Sequence, residues 1–132
     1  LPNTSDLMSW KVGDHGFEMN LSSRVPGVIR RYLQEAISQW LAQSEVKIED
    51  VNSWAIHPGG PRILDACEES LRLSAHDLEA SRRVLNDYGN MSSPTVLFVL
   101  EELRREKKNG LCVMLAFGPG LVMEAALIKL SA

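Results

Sequence analysis

Apolar and polar positions divide the chain into short alternating runs and longer helical repeats. Two short runs, at 7–12 and 17–21, flank the sequence GDHG at 13–16, whose glycines and aspartate favour a tight turn. This pattern predicts a β-hairpin. After the Pro-Gly pair at 26–27, apolar residues recur every three or four positions over 28–41, which places one apolar stripe on a helix.

The middle of the chain predicts a buried strand followed by two helices. The β-leaning run 53–56 ends at His57, and the sequence PGGP at 58–61 then forces a turn. Proline suits the first turn of a helix because its missing N–H would have no partner there. Helical spacing follows over 61–71 and again over 77–88, after which a glycine supplies a stop signal.

A third helix and two strands are predicted in the last third of the chain. Ser93 and Pro94 have the residue types of an N-cap and a first helical position, and the helix is predicted to continue over 95–107. Its residues 96–100 are apolar without a break, so we expect neighbours on several sides of it.

Two β-leaning runs, at 111–117 and 121–130, are joined by Gly-Pro-Gly and close the chain as an adjacent strand pair. Strands that alternate with helices and end in such a pair predict a layered α/β domain with a mixed β-sheet flanked by helices. Residues 1–132 are expected to form this single domain.

Size, composition and charge agree with one globular domain. The chain has 132 residues, of which 45% are hydrophobic and 23% charged, so a packed core is expected. The formal net charge of −3 provides no positive field that would attract nucleic acid or an anionic membrane. Neither partner is therefore expected.

The cysteines and histidines do not form a recognisable metal or disulfide pattern. Cys67 and Cys112 lie in apolar runs far apart, which favours core packing in a reducing cytoplasm. His15, His57 and His76 lack ligand-like spacing, so no metal is expected. The N-terminus has no secretory signal pattern, and the protein is expected to be cytoplasmic.

Polar groups with turn-forming neighbours occur at four junctions between predicted elements: His57, Asn90, the Ser92-Ser93 pair and 116–120. Ligands of open α/β sheets tend to bind at such junctions. Each group also has a purely structural interpretation, because loop histidines usually have no chemical role and asparagine tolerates turns. Together, a histidine and an asparagine would supply two donors without negative charge, as a developing enolate requires.

Three separated blocks resemble the C-terminal domain of the chalcone and stilbene synthases, the type III polyketide synthases. They are WAIHPGGPRILDA at 54–66, YGNMSSPTVLFVLEELRR at 88–105 and AFGPGLVMEAAL at 116–127, in the family's order and spacing. The resemblance implies a thiolase-like half and a Cys-His-Asn triad with His57 and Asn90 as two members. The family's nucleophilic cysteine belongs to an N-terminal half that is absent here.

The resemblance also implies substrate-binding positions. They are Gly59, Gly60 and Arg62 beside the pantetheine tunnel, Ser92 at the elongation cavity, Phe117, Gly118 and Pro119 in the cyclisation loop, and Met19 at the gate. Plant enzymes usually have phenylalanine at this gate and glycine at the position of Ala116. The two differences point toward a bacterial-type relative.

The implied reaction is decarboxylative Claisen condensation of an acyl-CoA starter with malonyl-CoA, which needs no cofactor beyond the CoA thioesters. The implied partners are the missing half and, by homodimer formation, a second copy. The isolated chain is expected to be inactive, and its uncovered apolar surface to favour self-association. Two alternatives stay open: a non-catalytic thiolase-like binding or assembly module, and half of a fatty-acid-type ketoacyl synthase.

Overall fold

Strands and helices alternate along most of the chain, as the sequence predicts. A computed structural model describes residues 4–131, apart from the side chain of Phe17. Short 3-10 turns occur at Ile48–Asp50, Ala75–Leu78 and Pro119–Leu121. The main elements are β1 (Met8–Gly13), β2 (Gly16–Leu21), α1 (Val25–Ala42), β3 (Ser53–Ile56), α2 (Pro61–Leu71), α3 (Glu79–Tyr88), α4 (Thr95–Arg105), β4 (Gly110–Gly118) and β5 (Val122–Leu130).

The described strands form a hairpin and a mixed three-stranded sheet. β1 and β2 pair antiparallel with each other, while the sheet has the order β3-β4-β5. In this sheet β3 runs parallel to β4, with Ser53 opposite Cys112, and β4 runs antiparallel to β5, with Gly118 opposite Val122. The predicted mixed sheet and hairpin are therefore confirmed.

Helices cover both faces of the sheet, and the side chains of its buried strands alternate between these two faces. Trp54 and Ile56 of β3 join the core cluster formed by α1 and α2, whereas Ala55 joins the cluster formed by α3 and α4. α1 buries residues at three- and four-residue intervals, as predicted for an amphipathic helix. These residues are Val25, Ile29, Leu33, Ile37 and Leu41.

The start of α4 differs from the prediction. Ser93 makes no capping hydrogen bond, and the helix begins at Thr95 rather than Pro94. The Thr95 hydroxyl donates to the Ser92 carbonyl over 2.7 Å and accepts from the Met91 N–H over 2.9 Å. Thr95, the first residue of the helix, thus stabilises the turn that precedes it. Residue type alone does not distinguish this role from capping by Ser93.

Two further helix limits also differ from the prediction. α4 ends at Arg105, not Lys107, because Lys107 has a positive φ of 55° that is incompatible with a continuing right-handed helix. The predicted helix over 77–88 is divided, since a 3-10 turn occupies Ala75–Leu78 and α3 begins at Glu79.

The apolar run of α4 is not covered on several sides within residues 4–131. Thr95, Val99 and Leu103 are buried, but Leu97 is 58% and Phe98 42% exposed. Helical spacing explains the difference, because the four-residue interval selects one buried face and leaves positions 97 and 98 outside it. None of the described helices combines the length and hydropathy needed to cross a membrane.

We predict that Gly110→Ala destabilises the fold by about 2–4 kcal/mol. Gly110 has a φ of +97°, and a β-carbon there would lie 2.2 Å from Oδ1 of Asn52. That oxygen accepts the Leu111 N–H over 2.8 Å, so moving it would break the contact that begins β4. Urea denaturation measures the change. Gly27→Ala, at an open helical position, serves as the control, and equal midpoints for the two variants would contradict the prediction.

Candidate active site

A cleft of about 610 Å³ lies between the hairpin and the carboxyl-terminal ends of β3 and β4. Loops after parallel strands are the usual ligand sites of open α/β sheets, because the strand ends meet there at one edge. Most of the residues predicted for the site line this cleft. They are His57, Gly59, Asn90, Ser92, Phe117, Gly118, Pro119 and Met19.

Gly60 and Arg62 are not among the residues that line the cleft. Gly60 precedes the first residue of α2, and Arg62 is exposed in the first turn of that helix. Gly59 and Ile63, on either side of these two residues, do line the cleft. Their predicted contact with pantetheine stays a prediction.

His57 follows β3 and brings an imidazole into the cleft wall. The backbone N–H of His57 donates to the Leu115 carbonyl over 2.7 Å, which extends the β3–β4 ladder by one bond. The ring forms no hydrogen bond with any described residue, and it is half-buried. Burial lowers the pKa of His57 below its ordinary value, so the ring is neutral at pH 7 and keeps one N–H donor.

Asn90 is oriented as a donor by its neighbours. Its Oδ1 accepts the Ser92 N–H over 2.9 Å, while Nδ2 donates to the Gly59 carbonyl over 3.4 Å. These contacts assign the amide nitrogen to the side of the loop that follows His57. Because an amide nitrogen carries two protons, one N–H remains for a ligand.

Gly59 leaves space beside the imidazole. A β-carbon at this position would lie 3.8 Å from Cδ2 and 4.0 Å from Nε2 of His57, which are ordinary van der Waals distances. The backbone at Gly59 is therefore compatible with a side chain. A methyl group there would nevertheless occupy cleft volume next to the Nε2 edge.

Neither cysteine of the chain belongs to the cleft. Cys67 is buried on α2, and burial raises its pKa to about 12. Cys112 is buried on β4, and burial likewise raises its pKa. Both cysteines belong to the buried core clusters, which confirms the prediction that they pack in the core. A thiol held protonated there is a poor nucleophile. Among residues 4–131, no three His, Cys, Asp or Glu side chains come together as metal ligands.

The hairpin forms one apolar wall of the cleft, of which the sequence predicts only Met19 as a site residue. Met8 and Trp10 of β1 are opposite Leu21 and Met19 of β2, so all four side chains share one face of the hairpin. All four line the cleft. The two-residue alternation of the hairpin could have predicted this shared face, but not that it would turn toward His57.

Glu124 was also missed. This residue of β5 is opposite Ala116 in the sheet, and it is the carboxylate among the described lining residues. Its negative charge faces a cleft that is otherwise mainly apolar. The signal was weak, because one exposed acidic residue in an alternating strand ordinarily faces solvent.

The chain is similar to known proteins over nearly its whole length. The family model described as "Chalcone and stilbene synthases, C-terminal domain" matches residues 1–131. Type III polyketide synthase A of Arabidopsis thaliana is 37% identical over 137 residues, which cover 98% of this chain and 35% of that protein. The chain thus spans about a third of the length of this curated relative.

Solved structures show the same fold. The crystal structure of PKS-I from the brown alga Ectocarpus siliculosus matches with a TM-score of 0.93 and 28% identity, over 97% of this chain and 36% of that one. A mutant of CsyB matches with a TM-score of 0.90 and 27% identity, over 98% and 37% of the respective chains. The predicted thiolase-like α/β half is confirmed, and the chain belongs to the chalcone and stilbene synthase family as its C-terminal domain.

Proposed function

We propose that this chain supplies the histidine and asparagine of a type III polyketide synthase active site, and that a separate α/β half supplies the cysteine. The observation that carries the proposal is the meeting of His57, Asn90 and Gly59 at one end of an apolar cleft. The His57 ring and the Asn90 amide can each donate an N–H there. This is the chemistry required to stabilise an enolate oxygen.

In the proposed decarboxylation, the bond between the malonyl carboxylate and its α-carbon breaks and releases carbon dioxide. The electron pair of that bond forms the enolate, and negative charge develops on the thioester oxygen. N–H groups of His57 and Asn90 donate to this oxygen. Preorganised donors stabilise it without reorganisation because Ser92 and Gly59 already orient the Asn90 amide.

In the proposed condensation, the enolate carbon attacks the acyl group carried by the cysteine of the other half. A carbon–carbon bond forms, the carbon–sulfur bond breaks, and the thiolate is the leaving group. His57 would then face that thiolate. An anionic partner favours imidazolium, so assembly would raise the pKa of His57 from the lowered value of the separate chain, and the pairing would lower the pKa of the thiol.

The cleft is suited to a growing acyl chain. The hairpin wall with Trp10 and Met19 provides apolar area, and Phe117, near the carboxyl-terminal end of β4, adds an aromatic ring. We assign Met19 to the gate, Ser92 to the elongation cavity, and Phe117, Gly118 and Pro119 to the cyclisation loop. The substrates proposed are an acyl-CoA starter and malonyl-CoA, with no metal or organic cofactor.

The assembly proposed is a homodimer of complete enzymes in the cytoplasm, where reducing conditions preserve the cysteine. Residues 1–132 act in it as one C-terminal domain. Exposed apolar residues of α4, such as Leu97 and Phe98, support contact with further protein.

A second candidate is a non-catalytic binding or assembly module. The burial of both cysteines favours it, because neither thiol is placed to act as the nucleophile. This candidate predicts CoA binding or association without turnover after the other half is supplied. A dependence on acyl carrier protein would instead identify a fatty-acid-type ketoacyl synthase.

We predict that His57→Ala and Asn90→Ala each lower malonyl-CoA decarboxylation about a hundredfold or more, since each removes one donor to the developing oxyanion. Carbon dioxide release is measured in enzyme assembled from this chain and a cysteine-bearing half. His15→Ala, in the exposed hairpin turn, is the control. Undiminished release by both site variants would refute the assigned roles.

We predict that Gly59→Ala preserves folding but lowers kcat/KM for malonyl-CoA about tenfold, because a methyl group would displace the thioester from the imidazole. Thermal unfolding and steady-state kinetics of the assembled enzyme test this separation. Gly27→Ala, in the exposed first turn of α1, is the matched glycine control. Equal kinetics for the two variants would show that the space beside His57 is not used by substrate.

A further inference from the structure

A buried serine on α3 contacts the backbone next to His57. The Ser81 side chain is fully buried, and its Oγ donates to the Ile56 carbonyl over 2.8 Å. This contact joins α3 to the end of β3, across 25 residues of chain. Ser81 does not line the cleft and therefore does not contact substrate there.

The carbonyl that Ser81 contacts belongs to the peptide group between Ile56 and His57. The N–H of this same planar group donates to the Leu115 carbonyl over 2.7 Å. One hydrogen bond therefore reaches the peptide from α3 and the other reaches it from β4. The backbone from which the imidazole extends is held from two opposite sides.

Secondary-structure preference does not explain a serine at this position. Ser81 is the third residue of α3, its hydroxyl bonds outside the helix, and the other buried residues of α3, Ala80 and Val84, are apolar. A helical serine often bonds a carbonyl of its own preceding turn, whereas Ser81 donates to a strand. Burying a hydroxyl is costly unless it forms a hydrogen bond. The partner of this hydroxyl is the carbonyl of the peptide group between Ile56 and His57.

We propose that Ser81 is a positioning residue for His57. Its hydroxyl fixes the 56–57 peptide, and through it the direction in which the imidazole enters the cleft. The catalytic consequence rests on the proposed function, while the structural consequence for the His57 ring does not. An alanine at position 81 would leave the Ile56 carbonyl buried without this donor, and the peptide would rotate or admit water.

Release of the peptide has a defined effect on the His57 ring. In the folded chain burial lowers the pKa of His57, so a ring that moves toward water regains a higher pKa. Glu124 of β5 is the charged side chain among the described lining residues, while α2, α4, β4 and the hairpin present none to the cleft. Movement toward that carboxylate would raise the pKa too, so both displacements have the same sign.

The structural arm of the test is a pH titration of the imidazole NMR signals in the 132-residue chain. The chain has three histidines, and His57→Gln identifies the signal of position 57. Ser81→Ala should raise the titration midpoint of His57, and Ser81→Thr, which retains the hydroxyl, should restore it. Ser81→Cys fills the site with a slightly larger group that is a weaker donor, so it should also raise the midpoint. It replaces the alanine variant in the test if that variant unfolds.

Ser70→Ala is the matched control. Ser70 is another buried helical serine, and its Oγ donates to the Arg30 carbonyl over 3.2 Å, joining α2 to α1. The Ser70 hydroxyl also accepts the Gln34 N–H over 3.3 Å, so Ser70→Ala removes buried hydroxyl contacts between two elements without touching the 56–57 peptide. The midpoint temperature of thermal unfolding should fall in both serine variants. The titration midpoint of His57 should move only in the Ser81 variant.

The kinetic arm uses enzyme assembled with the cysteine-bearing half. Ser81→Ala should lower kcat for decarboxylation about ten- to a hundredfold, as expected for a misplaced catalytic group, with KM unchanged because Ser81 does not bind substrate. Ser81→Thr should recover the rate.

The two arms separate the two proposals. If Ser81→Ala leaves the His57 midpoint where the wild type has it, the positioning role is wrong even if His57→Ala abolishes activity. If Ser81→Ala shifts the midpoint while His57→Ala retains activity, the positioning role stands and the proposed function fails. An equal shift in Ser70→Ala would reduce the effect to general destabilisation and overturn the inference.

Discussion

The arrangement of the site depends on the parallel pairing of β3 with β4. Parallel neighbours cannot be joined by a short turn, so the chain leaves β3, forms three helices over 61–105, and returns as β4. Because both strands then end at the same edge of the sheet, His57 and residues 116–120, at the end of β4 and in the turn after it, become neighbours. The hydrogen bond from His57 N–H to the Leu115 carbonyl is the last one in this ladder.

The helices of this crossover do more than cover the sheet. α3 and the start of α4 bring Asn90 to the loop after β3, where its amide nitrogen donates to Gly59. They also place Ser81 behind the strand end. The same connection that satisfies the parallel topology thus supplies one donor to the cleft and a backbone contact behind the other. Burial and backbone contacts together hold a neutral pair of donors beside an apolar wall.

Local sequence patterns predicted the elements best where one interaction dominates. The turn residues at 13–16 and the strict helical spacing of α1 both agree with the structure, since each is decided within a few residues. The predictions for α4 were less accurate, because serine and threonine compete for the same cap contacts and an unbroken apolar run has no periodicity. Its exposed positions, Leu97 and Phe98, became evident only once its buried face was known.

By itself, the sequence determined the α/β class, the identity of the family and the grouping of His57 with Asn90 as candidate donors, because short motifs and residue types encode them directly. Only the tertiary structure decided that Gly60 and Arg62 lie outside the cleft wall, that the hairpin face closes one side of it, and that Ser81 reaches the peptide before His57. These relations join residues far apart in the chain. Their geometry follows from how α3 and the hairpin pack against the sheet, which no local pattern specifies.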